Sequence, residues 1–179
     1  MPSDLTIRPA DEGDLPAITA IYDEAVRTGT ASYEVDPPGL AEMTRRWRGL
    51  VSNDFPYLAA TRGGELIGYA YAGPFRPRPA YRFSVEDSIY IAPHAQQAGV
   101  GRFLLSKLIV LCEAKGFRQM IAVIGDGSEG SGSVRLHRAL GFRDVGTFKA
   151  AGFKFGRWLD TMLMQRPLGP GSSALPTER

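Results

Sequence analysis

Three consecutive pieces of the chain decide its fold: Phe83-Ser84-Val85-Glu86-Asp87-Ser88-Ile89-Tyr90-Ile91, then Gln96-Gln97-Ala98-Gly99-Val100-Gly101, then a run beginning Arg102-Phe103-Leu104-Leu105. In the first piece Phe83, Val85, Ile89 and Ile91 fall on one face, with Glu86, Ser88 and Tyr90 on the other, which is the period of a strand. The third piece spaces Leu104, Leu105, Leu108, Ile109, Leu111 and Cys112 as a helix, stopped at Gly116. Between them the glycines let backbone N–H groups converge on an anion at a helix N-terminus. Taken alone, such spacing serves a tight turn as readily as a phosphate site. No Gly-Lys-Ser/Thr follows, which excludes a Walker loop, and the third glycine of the dinucleotide fingerprint is missing.

Working outward, Leu5 to Arg8 reads as a first strand. Asp14 is placed to cap a helix through Ile18, Ile21, Tyr22 and Ala25 that ends at Gly29. Pro37-Pro38 opens a second helix around Met43, Trp47 and Leu50, and Tyr57–Ala60 with Leu66–Tyr71 reads as a hairpin about Gly63-Gly64. Downstream come a strand Gln119–Ile124, a Gly/Ser-rich loop, and a helix around Val134–Leu140. Two last strands cover roughly Phe142–Phe148 and Arg157–Met164. The pattern predicts an α+β fold with a mixed, mostly antiparallel sheet flanked by helices. It predicts one domain over 1–166 and a flexible tail over 167–179, where Pro, Gly and Ser leave little apolar surface to bury.

Composition narrows the function classes. A chain of 179 residues with 44% hydrophobic and 22% charged residues is an ordinary globular domain. The net charge of +2 argues against bulk nucleic-acid binding but allows a local basic pocket. The single cysteine cannot form an internal disulfide, and neither a signal peptide nor a membrane-spanning run is legible, so the expected compartment is the cytoplasm.

The central strand, Gln96-x-x-Gly99-x-Gly101 and the helix after it together resemble the acetyl-CoA motif of the GCN5-related N-acetyltransferase (GNAT) superfamily. Ser133-Val-Arg-Leu-His137-Arg-Ala-Leu-Gly141-Phe142 is similar to that superfamily's closing helix-to-strand motif. The phosphinothricin and methionine sulfoximine N-acetyltransferase branch is closer still. Its matching stretches are Ala70–Pro74, Arg78-x-Ala80-Tyr81, Val85-Glu86, Ala122–Gly125, Ser133–Phe142 and Ala150–Lys154, within about residues 5 to 166. The resemblance implies the GNAT acyl-CoA N-acyltransferase fold, acetyl-CoA as co-substrate without a metal, and acetylation of the α-amino group of a small amino-acid-like acceptor. It also implies a homodimer, for which Ala122-Val123-Ile124 and the closing strands offer apolar surface. A protein or peptide acetylase and a non-catalytic acyl-CoA-binding regulator are the rival readings. The joint presence of Glu86 and His137 argues against the regulator.

Residue roles follow from the same resemblance. Ile89, Tyr90, Ile91, Gln96, Gln97, Ala98, Gly99, Val100, Gly101, Ser131 and Ser133 are expected at the cofactor. Where the family usually has an Asn, Gly130 stands, so Ser131 or backbone takes over its contact, or cofactor affinity is lower. Glu86 is the expected general base, with a solvated strand carboxylate as the alternative. His137 is expected to protonate the leaving thiolate or orient the acetyl group, with a core histidine as the alternative. Arg76, Arg78, Tyr81, Phe75 and Phe83, with Tyr33 as a further wall, are expected at the acceptor, because guanidinium groups capture oxyanions. A basic surface loop stiffened by prolines is the competing reading for Arg76 and Arg82. His94 is expected at the surface and Cys112 in the core, which favours direct transfer in a ternary complex over a covalent enzyme intermediate.

Overall fold

Strands β4 (Ser84–Ile91) and β5 (Gln119–Ile124) run parallel, with α3 (Val100–Ala114) as the crossover between them, and the other elements build outward from this pair. The computed structural model describes residues 4–125, 127–128 and 130–177. Asp126 and Glu129 of the Gly/Ser-rich loop, and the last two residues of the expected tail, lie outside the described residues. The remaining strands are β1 (Leu5–Pro9), β2 (Tyr57–Arg62), β3 (Glu65–Pro74), β6 (Arg143–Lys154) and β7 (Arg157–Pro167). The remaining helices are α1 (Leu15–Thr28), α2 (Gly39–Ser52) and α4 (Gly132–Ala139). All strands join one sheet in the order β1-β2-β3-β4-β5-β7-β6, with β4–β5 the parallel step. This is the mixed, mostly antiparallel α+β sheet expected from the sequence.

Helices cover both faces. On one side Leu104, Leu105 and Leu108 of α3 pack with Val85, Met120 and Ala122, and all are buried. Truncating one such leucine to alanine typically costs about 2–5 kcal/mol. On the other side α1 and α2 cover a row of tyrosines, in which Tyr57, Tyr69 and Tyr71 stack and Tyr90 stacks on Tyr69 at 5.3 Å. Residues of β4 therefore face the α3 side at Val85 and Asp87, and the tyrosine side at Tyr90.

Three features differ from the sequence reading. Asp14 holds the N-cap position of α1, but its carboxylate makes no cap bond to the helix and takes Arg8 at 2.6 and 2.7 Å, while the chain enters the helix through a 3-10 turn capped by Asp11. Strand β6 runs to Lys154 instead of ending near Phe148, because irregularities at Asp144/Gly146 and Phe148/Gly152 break the alternation that marks a strand. Of Ala122-Val123-Ile124, Ala122 and Ile124 belong to the core and Val123 is exposed, while on the closing strands Val145, Phe148, Phe153 and Trp158 are exposed. At the end of the chain, β7 reaches Pro167, Leu168 is buried, and Arg118 donates to the Leu175 carbonyl at 3.0 Å.

Candidate active site

The pairing of β4 with β5 begins at Ser84↔Gln119 and stops at Asp87↔Ala122, although β4 continues to Ile91. Ser88–Ile91 stay paired to β3, which leaves their other edge open. A cavity of about 740 Å³ opens there, walled by the first turns of α3 and α4, by the C-terminal half of α1 and by residues 29–31 after it.

The approach to α3 is shaped by backbone conformation. Gln97 (φ 61°) and Gly99 (φ 80°) both take left-handed values, and Gly99 caps the helix with no side-chain hydrogen bond. Arg102 and Phe103 N donate to the Gly99 carbonyl, while Val100 and Gly101, at the start of α3, border the cavity with no side-chain cap beside them, as an anion site requires. Gly101 serves packing, since a Cβ there would meet Leu136 at 3.3 Å. Of the expected cofactor residues, Ile89, Tyr90, Ile91, Gln96, Gln97, Gly99, Val100, Gly101, Ser131 and Ser133 line this cavity, and Ala98 does not. The Tyr90 ring packs on Tyr22 and Tyr69 across the sheet, so backbone is what Tyr90 offers. The Ser131 hydroxyl accepts from Val134 N as the cap of α4, which commits it to the helix and leaves backbone as the better substitute for the family's Asn. Arg102 and Arg135, which the sequence reading passed over, also line the cavity.

His137 lies on α4 with both ring nitrogens engaged. Nδ1 is 2.7 Å from the Ser133 carbonyl and Nε2 is 2.9 Å from Asp87 Oδ2. Burial pulls the imidazole pKa down, but hydrogen bonding and charge from Asp87, with the Ser133 carbonyl, outweigh it and hold the pKa above the usual histidine value. Asp87 was missed. Its signal was legible, because strict alternation places a carboxylate on the apolar face between Val85 and Ile89, where it needs a partner.

Glu86 faces the other way, toward the side of the sheet that carries Tyr71, and does not line the large cavity. Burial first, and then the neighbouring charge of Asp87, push its pKa up to about 7. A carboxyl poised there is half ionised at neutral pH, as a general base needs.

A second cavity of about 330 Å³ is lined by Arg76, Arg78, Tyr81, Arg82, Ser84 and Phe55, among others. Phe75 and Phe83 support it from behind: Phe75 packs edge-on against Tyr81 at 5.6 Å, and Phe83 lies under the Arg82 guanidinium at 4.6 Å. Arg76 stacks over Phe75, which leaves Arg78 as the lining guanidinium with no ring beneath it among the described residues. Ser84 borders the small cavity and Asp87 the large one; Glu86 lies between these two residues along the strand and lines neither cavity. Tyr33 lines neither. Its ring lies between Gly125 and Gly152, where a Cβ at either would collide with it, and its hydroxyl bonds Thr161 at 2.6 Å. His94 is exposed beside Glu65, and Cys112 is fully buried in the α3 core.

Comparisons with known proteins agree on one family. The family model described as an acetyltransferase (GNAT) domain matches residues 7–163. The phosphinothricin N-acetyltransferase of Alcaligenes faecalis is 55% identical over 171 residues, covering 96% of this chain and 86% of that protein. An L-methionine sulfoximine/L-methionine sulfone acetyltransferase of Pseudomonas aeruginosa is 39% identical over 94% of this chain and 98% of its own length. Among solved structures, a GNAT superfamily phosphinothricin acetyltransferase from Sinorhizobium meliloti in complex with AcCoA superposes with a TM-score of 0.94 at 54% identity. That match covers 98% of this chain and 94% of the other.

Proposed function

Because this chain belongs to the GNAT acetyltransferase family, we propose that it transfers the acetyl group of acetyl-CoA to the α-amino group of phosphinothricin, methionine sulfoximine or methionine sulfone type acceptors. The observation that carries this reading is that Glu86, with its pKa pushed up to about 7, lies along β4 between Ser84, which borders the arginine-lined cavity, and Asp87, which borders the large one. The open edge of Ser88–Ile91 suits the amide-bearing arm of acetyl-CoA, and the uncapped N–H groups of α3 suit its pyrophosphate. Bound there, acetyl-CoA supplies an activated thioester carbonyl.

Glu86 takes a proton from the acceptor ammonium, leaving a nucleophilic amine. Arg78 holds the acceptor's oxyanion and Tyr81 walls its side chain, so the amine approaches the carbonyl in one orientation. Attack is direct, since the chain's one cysteine, Cys112, is enclosed in the core. Charge is supplied near the departing sulfur by the pair Asp87–His137. The enzyme works in the cytoplasm as a homodimer, joined through the closing strands and the turn between them, where Phe148, Phe153, Phe155 and Trp158 are exposed. A site that bonds a ligand oxygen leaves its donors unpaired when that oxygen is missing, so methionine itself is a poor acceptor. The test is Arg78→Ala: KM for methionine sulfone rises about tenfold or more while acetyl-CoA affinity stays within about twofold. An unchanged KM would remove Arg78 from the acceptor site.

A further inference from the structure

Asp87 follows Glu86 in sequence but is turned into the wall behind the large cavity, where its side chain is 1% exposed and that of His137 is 2% exposed. A carboxylate at that depth is costly unless it is paired and hydrogen-bonded. Oδ2 faces His137 Nε2 at 2.9 Å, while Oδ1 is buried with no hydrogen-bond partner among the described residues. Across the ring, Nδ1 is 2.7 Å from the Ser133 carbonyl oxygen, which can only accept. That contact fixes a proton on Nδ1. With Nδ1 protonated, a bare Nε2 would set its lone pair against those of the carboxylate, so the short contact requires a second proton between Nε2 and Oδ2. Both groups border the cavity that the thioester would enter.

We propose that Asp87 is a positioning residue for acetyl transfer, holding His137 doubly protonated at the cavity wall where the departing sulfur needs a proton. The inference rests on the acetyltransferase reading above. The net rise in the imidazole's proton affinity, despite burial, is in keeping with it.

The step balances. The amine lone pair forms the new C–N bond, the C–S bond breaks, and its electron pair leaves on sulfur. Sulfur then takes the proton shared by His137 and Asp87. The nitrogen gives up two protons on going from ammonium to amide. One passes through Glu86 to solvent, and the other restores the proton lent by the pair.

Two measurements test this. In 15N-labelled wild-type protein at neutral pH, the His137 ring should show a proton on both nitrogens, with the Nε2 proton shifted downfield. In Asp87→Asn, which has the same shape without the charge, the amide can donate to Nε2, and the ring should show a proton on Nδ1 alone. In that variant kcat should fall about tenfold or more, while acetyl-CoA affinity measured by calorimetry changes less than about threefold. A merely structural role would leave ring protonation and kcat as they are in the wild type. A wild-type ring protonated only on Nδ1 overturns the proposal, as does a folded Asp87→Asn protein with wild-type kcat. Should that variant not fold, the wild-type spectrum decides. A wild-type protein that transfers no acetyl group would instead refute the functional reading, and the spectrum would still report on the pair.

Discussion

Glu86 and Asp87 are consecutive on β4, yet their carboxylates lie on opposite faces of the sheet, one on the Tyr71 side and the other against His137. Backbone alternation thereby sets a carboxyl with a raised pKa on one face and the Asp87–His137 contact on the other. Burial and the charge of Asp87 bring Glu86 to about 7, so it is protonated and unable to accept below that pH. The rate at limiting acceptor should therefore rise with pH through about 7. Glu86→Gln should lower kcat about tenfold or more and abolish this rise, measured as kcat and kcat/KM between roughly pH 6 and 9. Near-normal kcat for that variant across the range would remove Glu86 as the base.

The same group makes a stability prediction of opposite sign. A carboxyl whose folded pKa is raised from 4.5 to about 7 favours the folded state only while it is protonated. Ionisation costs stability as pH rises between these values, and the cost is fully present above them. Glu86→Gln should therefore melt higher than wild type at pH 8, by roughly 2–4 °C for each kcal/mol relieved, and the gain should vanish near pH 4. A Tm difference that is the same at both pH values would contradict it.

Lys154 fastens the segment after α1 to the closing strands. Its ammonium is buried and donates to the carbonyls of Gly29 and Ser32, both at 2.9 Å. Burial lowers its pKa from the ordinary lysine value. Lys154→Met keeps the stem but leaves both carbonyls without this donor, so it should cost about 1–3 kcal/mol. Denaturant melts and faster amide exchange in residues 29–34 are the readouts; unchanged exchange there would mean that the lysine holds nothing in place.

At the turn before α3, Gly99 needs its positive φ of 80°, where a β-branched residue is strained. Gly99→Val should weaken acetyl-CoA binding by about tenfold or more in calorimetry, with the fold kept. Unchanged affinity would rule out the α3 approach as the pyrophosphate site.

Much of this was legible in the sequence because the signals are local. Alternation across Phe83–Ile91, the glycines before α3 and the Val134–Leu140 helix each announce themselves within a few residues. The wall of the large cavity follows from that order, and ten of the eleven residues expected at the cofactor line it. What the sequence hid depends on distant pairing. Asp14 looks like a cap until Arg8 folds back to it, and Tyr33 looks like a pocket wall until Gly125 and Gly152 close around its ring. The length of β6 was obscured by its irregularities, which interrupt the period that sequence reading depends on. The partner of Asp87 is fifty residues away, so the strand pattern announces only that a partner is needed.

The central claim is tested most directly by acceptor-dependent thiol release from acetyl-CoA, with the product identified by mass. The acceptors are methionine sulfone, methionine sulfoximine, phosphinothricin, methionine and a polyamine. The account predicts an N-acetylated product with the first three and kcat/KM about tenfold or more lower for methionine than for its sulfone. Protein that binds acetyl-CoA but releases no thiol with any of the first three, or that acetylates the polyamine faster than all of them, would contradict it.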